Sequence, residues 1–432
     1  LNFGFNSKFK TQNSKLPQAR AAFMKIVRII ARLNVGGPAR HVVWLTKALQ
    51  TAEFQSVLLT GTVPEGEEDM SYFAAAHDVE PIFIPEMSRE LSAKDVVSLW
   101  KVYRFFQREK PDIVHTHTAK AGTIGRVAGF FYRWLTPKTL IGRPRPVRFV
   151  HTYHGHVFHS YYGKNKTRFF LFIEKTLARF ATDKIITISG QQFEEIHGQF
   201  RVGREKQFSV VPLGIDLAPF AGWRAKRRLL REEIGVRDDE ILIGLVGRLT
   251  EIKNHTLFLQ IARRYKENFD FPRLKFVIIG DGHLRETLEK EAEKYKIKDI
   301  VTFLGNRSDA DVFYPALDIV ALTSLNEGTP LSLIEAMANA RPCISTAVGG
   351  VVDLLGEARA EADGFIICER GLRAASNDAE GFLNGLIYLA KDEKLRDEMG
   401  ARGRDYVLAN YDKERLISDI KKLYYDLLGK KG

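Results

Sequence analysis

The sequence predicts an α/β protein of two doubly wound, Rossmann-like domains that face each other across a cleft, with a C-terminal helix crossing back. Three observations carry this expectation. Short apolar, β-branched runs recur along the chain, each followed by a Gly-rich turn and a segment of helical period, the pattern of parallel strands covered by helices on both faces. The runs fall into two series separated by Val210-Val-Pro-Leu-Gly-Ile-Asp216, a Pro-x-Gly turn of inter-domain type. The length of 432 residues exceeds what one ordinary hydrophobic core accommodates.

The elements follow in order. Residues 1–23 carry Lys8, Lys10, Lys15 and Arg20 with no acid and no continuous apolar stretch, so a disordered basic arm is expected rather than a signal peptide. Met24 then precedes the first strand. Strands expected at 26–30, 56–60, 112–116, 148–153 and 184–188 define a first domain over 24–212. An Arg/Lys-rich helix around 224–233 opens the second domain, 213–404. Its strands are expected at 241–247, 275–280, 300–304, 318–323 and 343–346, with a short last one near 364–368. In 405–432, Tyr406, Leu408, Leu416, Ile420, Leu423 and Leu427 mark one amphipathic helix over 405–428, long enough to return to the first domain.

Bulk composition excludes several classes. At 45% hydrophobic and 27% charged residues the chain is globular, and two cysteines, Cys343 and Cys368, exclude a disulfide scaffold or a Cys-rich zinc site. A reducing, cytoplasmic setting fits, and no apolar run is long enough to span a bilayer. The charge is uneven. Residues 1–212 carry 31 Lys+Arg against 17 Asp+Glu, whereas the remainder carries 34 against 36. A basic half points to an anionic partner: nucleic acid, a lipid surface or a phosphorylated substrate.

The most informative stretch is Leu325-Asn-Glu-Gly-Thr-Pro-Leu-Ser-Leu-Ile-Glu335. Gly328, Thr329 and Pro330 are loop and helix-opening residues, with Pro330 suited to the first turn, and Leu331 begins a run of helical spacing. Glu327 therefore sits before a helix and Glu335 more than one turn inside it. Free N–H groups at the opening suit a phosphate or sugar hydroxyls, and two separated carboxylates suit two separated sets of hydroxyls. Upstream, a strand ends at Gly247, so Arg248 and Lys253 project from a strand-to-helix loop where cations neutralise a diphosphate. Gly36-Gly37, followed by Arg40 and His41, lets the backbone approach a ligand at another helix start, without being a Walker loop or a full dinucleotide fingerprint.

Histidines 151, 154, 156 and 159, with His115 and His117 upstream, raise a metal site as a reading. No H-E-x-x-H pattern occurs, and strand alternation sends His151 and His154 to opposite faces, so no metal is expected. A strand-end histidine in the cleft, His154, is expected instead. Asp309-Ala-Asp311 mimics the Asp-x-Asp cation signature but lies where acids cap a helix. Aromatic and basic residues interleave over 126–148 and 157–168, as suits a lipid interface, stacking on nucleic acid or a core helix with a basic outer face.

Taken in order, the Gly36-Gly37 loop, Thr-Tyr-His154, Val-Pro-x-Gly-Ile-Asp216, Gly-Arg248-Leu-x-x-x-Lys253, Gly280-Asp-Gly282, Val301-x-Phe-Leu-Gly305 and Glu327-x7-Glu335 resemble glycosyltransferase family 4 over about 24–428. The resemblance implies a GT-B fold and a retaining, nucleotide-sugar-dependent transferase. A hexose or hexosamine would pass from a UDP- or GDP-sugar to an acceptor hydroxyl. By that likeness Arg248 and Lys253 hold the diphosphate, Glu327 the transferred sugar and Glu335 the ribose. Gly247, Gly328, Pro330 and the N–H groups of Thr329 and Leu331 complete the donor site, His154 lines the reacting centre, and Gly36 and Gly37 let the first domain close over the donor. The expected acceptor is a polyprenyl-linked or cell-envelope glycan, with no cofactor, no metal and no nucleic acid. The expected place is the cytoplasm, peripheral to an anionic inner membrane leaflet. Thr329, where the family often has a larger apolar residue, and the insertion-like Arg370–Ser376 depart from the pattern. The alternatives are an epimerase of the same fold, or a basic nucleic-acid binder.

Overall fold

A computed structural model describes residues 23–34, 36–64, 69–88, 92–155, 164–269 and 271–430, apart from the side chains of 164–166. Except for Phe23, the expected N-terminal arm lies outside the described residues, as do His156, His159, Phe158, Tyr161 and Tyr162.

Seven strands form the first sheet: β1 (Met24–Arg32), β2 (Phe54–Gly61), β3 (Ile82–Phe83), β4 (Ile113–His117), β5 (Arg148–Thr152), β6 (Lys184–Thr187) and β7 (Phe208–Val210). Their order is β3-β2-β1-β4-β5-β6-β7 and every pairing is parallel. Helices on both faces bury β1 almost end to end, which is why it reads as a continuous apolar run rather than an alternating one. The second sheet holds β8 (Ile241–Val246), β9 (Leu274–Ile279), β10 (Val301–Gly305), β11 (Ile319–Leu322), β12 (Cys343–Thr346), β13 (Ala358–Ala362), β14 (Phe365–Cys368) and β15 (Gly371–Ala374). The order is β10-β9-β8-β11-β12-β15-β14-β13, parallel except for the antiparallel β13-β14-β15 edge. The insertion-like Arg370–Ser376 thus supplies β15, which pairs with β12.

Each sheet reverses its winding once. In the first the switch lies between β1 and β4, and in the second between β8 and β11. Strand-end loops diverge there and leave a crevice at the carboxyl ends, where doubly wound sheets take ligands. Gly36 and Gly37 follow β1, His117 ends β4, Gly247 to Lys253 follow β8 and Glu327 follows β11. The motifs singled out in the sequence therefore cluster at the two switch points.

The expected helix over 405–428 is two helices. One runs Glu393–Asn410 and the next Lys413–Leu428, because the Asp412 carboxylate accepts the Glu414 N–H and starts a new helix. The break runs beside the inter-domain turn: Ile215 N–H donates to Tyr411 O at 2.8 Å, Lys413 N–H donates to Ile215 O at 3.0 Å, and Arg415 Nη2 donates to the carbonyls of Pro212 and Leu213. Helix Lys413–Leu428 then packs Leu416, Ile420, Leu423 and Tyr424 against Met24, Ile26, Leu45 and Ile113 of the first domain. The chain crosses back as expected.

Candidate active site

The two second-domain loops are bound to each other before either meets a ligand. Thr323 Oγ1 donates to the carbonyls of Lys253 and Asn254, both at 3.0 Å, and Leu325 N–H donates to Ile252 O at 2.8 Å. This brings Lys253 Nζ to 2.6 Å from Glu327 Oε1, and Ser324 Oγ donates to the same oxygen at 2.6 Å. Arg248, on the same loop as Lys253, is exposed and has no ion-pair partner among the described residues. One cation is therefore anchored to the carboxylate at the switch point, and a second, unpaired one stands on the same loop.

Glu335 lies in helix Leu331–Ala338, whose N-cap is Pro330; the proline sits just outside the first turn rather than in it. Tyr314 Oη donates to Glu335 Oε2 at 3.1 Å, and Arg40 of the first domain brings Nη1 to 3.6 Å from Oε1. Burial pushes the Glu335 carboxyl up from the ordinary glutamate value, while Arg40 and the Tyr314 hydrogen bond oppose that rise.

Backbone closeness ties the lobes at the same place. A Cβ at Gly37 would stand 3.1 Å from Leu331 Cδ1, and one at Gly328 would stand 2.8 Å from the carbonyl oxygen of His154. A side chain at Gly328 would push apart the loops carrying Glu327 and His154, so glycine is required there for close approach. The loops carrying Glu327 and Glu335 thus meet those of Gly37, Arg40 and His154.

His154 follows β5 and meets two further imidazoles. Its Nε2 is 2.9 Å from His117 Nδ1, the two rings stack at 5.2 Å, and His41, one turn into helix Gly37–Ala48, places its ring edge-on at 4.8 Å. Burial lowers the His154 pKa to about 4 and holds His41 and His117 well below the ordinary value. His151 points the other way, bonded to Thr116 Oγ1 at 2.8 Å, so strand alternation does separate it from His154. His115 faces inward as well: Nδ1 is 2.7 Å from Tyr424 Oη and Nε2 2.7 Å from Thr152 Oγ1.

A separate cavity of about 550 Å³ opens between the lobes at Ser189, Asp353, Arg370 and Tyr406, and none of Arg40, Arg248, Lys253, Glu327 and Glu335 lines it. Asp309 holds the N-cap position of helix Ala310–Ala316, but its carboxylate takes Arg307 rather than the helix N–H groups, and Asp311 pairs with Lys226. The Asp-x-Asp stretch is therefore engaged in ion pairs.

Residues 35–219 match the family model Glycosyltransferase Family 4, and residues 226–406 match Glycosyl transferases group 1. The UDP-Gal:alpha-D-GlcNAc-diphosphoundecaprenol alpha-1,3-galactosyltransferase of Escherichia coli is 32% identical over 352 residues, spanning 81% of this chain and 84% of that one. The chain belongs to glycosyltransferase family 4. The N-acetyl-alpha-D-glucosaminyl L-malate synthase of Bacillus anthracis is 26% identical to this transferase over 337 residues, 77% of it and 80% of the relative. Among solved structures, Anabaena HepE in complex with UDP superposes with a TM-score of 0.73 at 18% identity, covering 93% of this chain and all of that one. Sucrose-phosphate synthase of Thermosynechococcus elongatus gives 0.71 at 21% identity, covering 94% and 99%. These likenesses show the GT-B fold. Neither the epimerase nor the nucleic-acid-binding reading finds support among them.

Sequence reasoning picked out Arg248, Lys253, Glu327, Glu335 and His154 and missed four partners. Arg40 and His41 stood inside the quoted Gly-Gly motif, and His117 was noted beside the histidine run. Nothing in the sequence ties Tyr314 to Glu335. The aromatic-basic stretch is also thinner than it reads: Arg126 is fully buried, with Nη2 2.7 Å from both oxygens of Glu174, and Tyr132 is buried.

Among the described residues no helix is long and apolar enough to cross a membrane.

Proposed function

We propose that this glycosyltransferase moves a hexose or hexosamine from a UDP-sugar to a hydroxyl of a polyprenyl-linked, cell-envelope glycan, with retention at the anomeric carbon. The observation that carries the reading is the Lys253–Glu327 pair at the second-domain switch point, next to Gly328, whose backbone closely approaches that of His154. Arg248 and Lys253 take the diphosphate, with Gly247 and the N–H groups of Gly328, Thr329 and Leu331 around it. Glu327 binds hydroxyls of the transferred sugar and Glu335 those of the ribose. His154 faces the sugar at the reacting centre. UDP is favoured over GDP because the E. coli relative is named for UDP-Gal and HepE is solved with UDP. The lipid-linked acceptor rests on the substrate for which the same relative is named. Residues 24–212 form the acceptor-side domain and 213–404 the donor-side domain.

Transfer proceeds without a divalent cation, because fixed cations and a helix opening meet the charge that develops on the departing diphosphate. The basic first domain supports a cytoplasmic enzyme held at the inner membrane leaflet. Screening UDP- and GDP-sugars by thermal shift tests the reading. A cognate donor at about 100 times its Kd adds about 2.7 kcal/mol, and EDTA leaves donor hydrolysis unchanged. Failure of every sugar nucleotide to stabilise the chain would overturn it. Proton NMR of the product's anomeric signal tests retention.

A further inference from the structure

His41, His117 and His154 each place one ring nitrogen within 4.8 Å of the other two, and among the described residues they are the one such group of His, Cys, Asp or Glu side chains. They come from three elements: helix Gly37–Ala48, the end of β4 and the loop after β5. His41 and His117 are 4% and 0% exposed. Both ring nitrogens of His41, Nε2 of His117 and Nδ1 of His154 are buried without a hydrogen-bond partner. A buried imidazole ordinarily has at least one polar neighbour; His41, with neither nitrogen partnered and its ring set against the hydrogen-bonded His117–His154 pair, points to a ligand that accepts nitrogen donors.

We infer that these three histidines form a binding site for a borderline transition-metal ion such as Zn2+. Metal–nitrogen bonds of about 2.0–2.1 Å in a tetrahedral site set ligand nitrogens about 3.4 Å apart. The His117–His154 contact of 2.9 Å must widen slightly and His41 must move in, both within reach of side-chain rotation. Three imidazoles with a fourth position open are the donor set of an accessible zinc site, and all-nitrogen donors disfavour Mg2+ or Ca2+, which take oxygen ligands.

One consequence rests on the transferase reading above. A metal ion coordinated by His154 holds that ring away from the donor sugar, so Zn2+ is an inhibitor rather than a cofactor, and the chelator-treated enzyme stays active.

Metal binding is read first with no sugar nucleotide present, which separates this inference from the functional one. Chelator-treated, dialysed full-length protein is titrated with Zn2+ alone by calorimetry and with Co2+ by visible absorption. One Zn2+ per chain and the intense d–d bands of tetrahedral Co2+ are expected. His41→Ala and His117→Gln, each checked for folding by circular dichroism, should each weaken Zn2+ binding at least tenfold, while His283→Ala on the surface leaves it unchanged. The zinc concentration for half-inhibition should rise by the same factor in His41→Ala, relative to that variant's own metal-free rate. Wild-type protein that shows no tetrahedral Co2+ spectrum, or Zn2+ affinity that survives both substitutions, overturns the site whatever the variants' stability.

Discussion

Arg248 and Lys253 carry the same sign and are expected to serve the same diphosphate, yet different surroundings hold them. Lys253 is a half-buried partner of Glu327, whereas Arg248 stands exposed without an ion pair among the described residues. Removing either cation takes away charge stabilisation that grows as the diphosphate departs, an effect of about 3–4 kcal/mol for a preorganised donor. Arg248→Ala should therefore lower kcat about 10²–10³-fold with an unchanged melting temperature. Lys253→Ala should show a similar kinetic loss and also be less stable by about 1–3 kcal/mol, since Glu327 keeps only Ser324 at that oxygen. Near-normal turnover in both variants would remove the assigned role. A second residue-scale effect concerns His255, which is 1% exposed at the start of the helix after Lys253. Burial first, and the Lys253 charge second, lower its pKa from 6.5 to about 4. The unfolded chain therefore takes up this proton before the folded one as pH falls. The contribution to stability is intact above pH 6.5, shrinks as pH drops and is fully lost near pH 4, on the order of 3 kcal/mol in all. Between pH 7 and 5, urea denaturation of wild type should lose about 2 kcal/mol more than His255→Leu. Equal losses would show that His255 is protonated in the native protein.

At the scale of elements, helix Lys413–Leu428 shows how much depends on one segment far along the chain. Ile420 is fully buried among first-domain side chains, and Tyr424 Oη bonds both Arg28 Nη1 at 2.9 Å and His115 Nδ1 at 2.7 Å. Ile420→Ala should cost about 2–5 kcal/mol by leaving a cavity, and Tyr424→Phe about 1–3 kcal/mol by stranding buried donors. Chemical denaturation of each variant measures both, and losses below 0.5 kcal/mol would mean the helix is not docked in solution. The amphipathic pattern of this helix was legible in the sequence; its break was not, because Asp412 caps a helix inside a stretch whose apolar period continues across it. The same physics separates the strands that could be read from those that could not. Strands β8 and β11 are buried on both faces and spell continuous apolar runs, as does β1 apart from Lys25 and its two arginines. Strands β3 and β7 have two and three residues, too few for a period, and β13 is almost wholly exposed, so pairing rather than burial makes it a strand. Glu327, Lys253 and Arg248 were legible because each lies on one short loop. The Glu335–Tyr314–Arg40 set was not, since it joins three elements of two domains.

For the whole molecule, the excess positive charge and the apolar exposure coincide on the first domain. Helices Lys94–Glu109, Ala119–Trp134 and Lys164–Phe180 pack side by side. Around them Phe130, Phe131, Trp134, Leu140, Ile141, Phe169, Phe172 and Phe180 are exposed, Leu140 by 91% and Phe172 by 68%. Lys138, Arg143, Arg148, Arg168, Lys175 and Arg179 stand exposed among them. Apolar side chains ringed by cations are what a protein lying on an anionic bilayer presents, the former entering the headgroup region and the latter meeting lipid phosphates. Each cation near such a surface contributes about 1 kcal/mol, and salt screens that contribution within a Debye length of about 10 Å at 0.1 M. The protein should therefore sediment with vesicles rich in anionic lipid at low salt, stay in solution with neutral vesicles, and be released by about 0.5 M NaCl. Leu140→Ser with Phe172→Ser should reduce sedimentation at every salt concentration, because it removes the apolar share, whereas Lys138→Glu with Arg143→Glu should reduce it mainly at low salt and so flatten its dependence on salt. Failure to sediment with anionic vesicles at low salt would leave the acceptor to reach the cleft from solution, and the exposed aromatic face would need another partner.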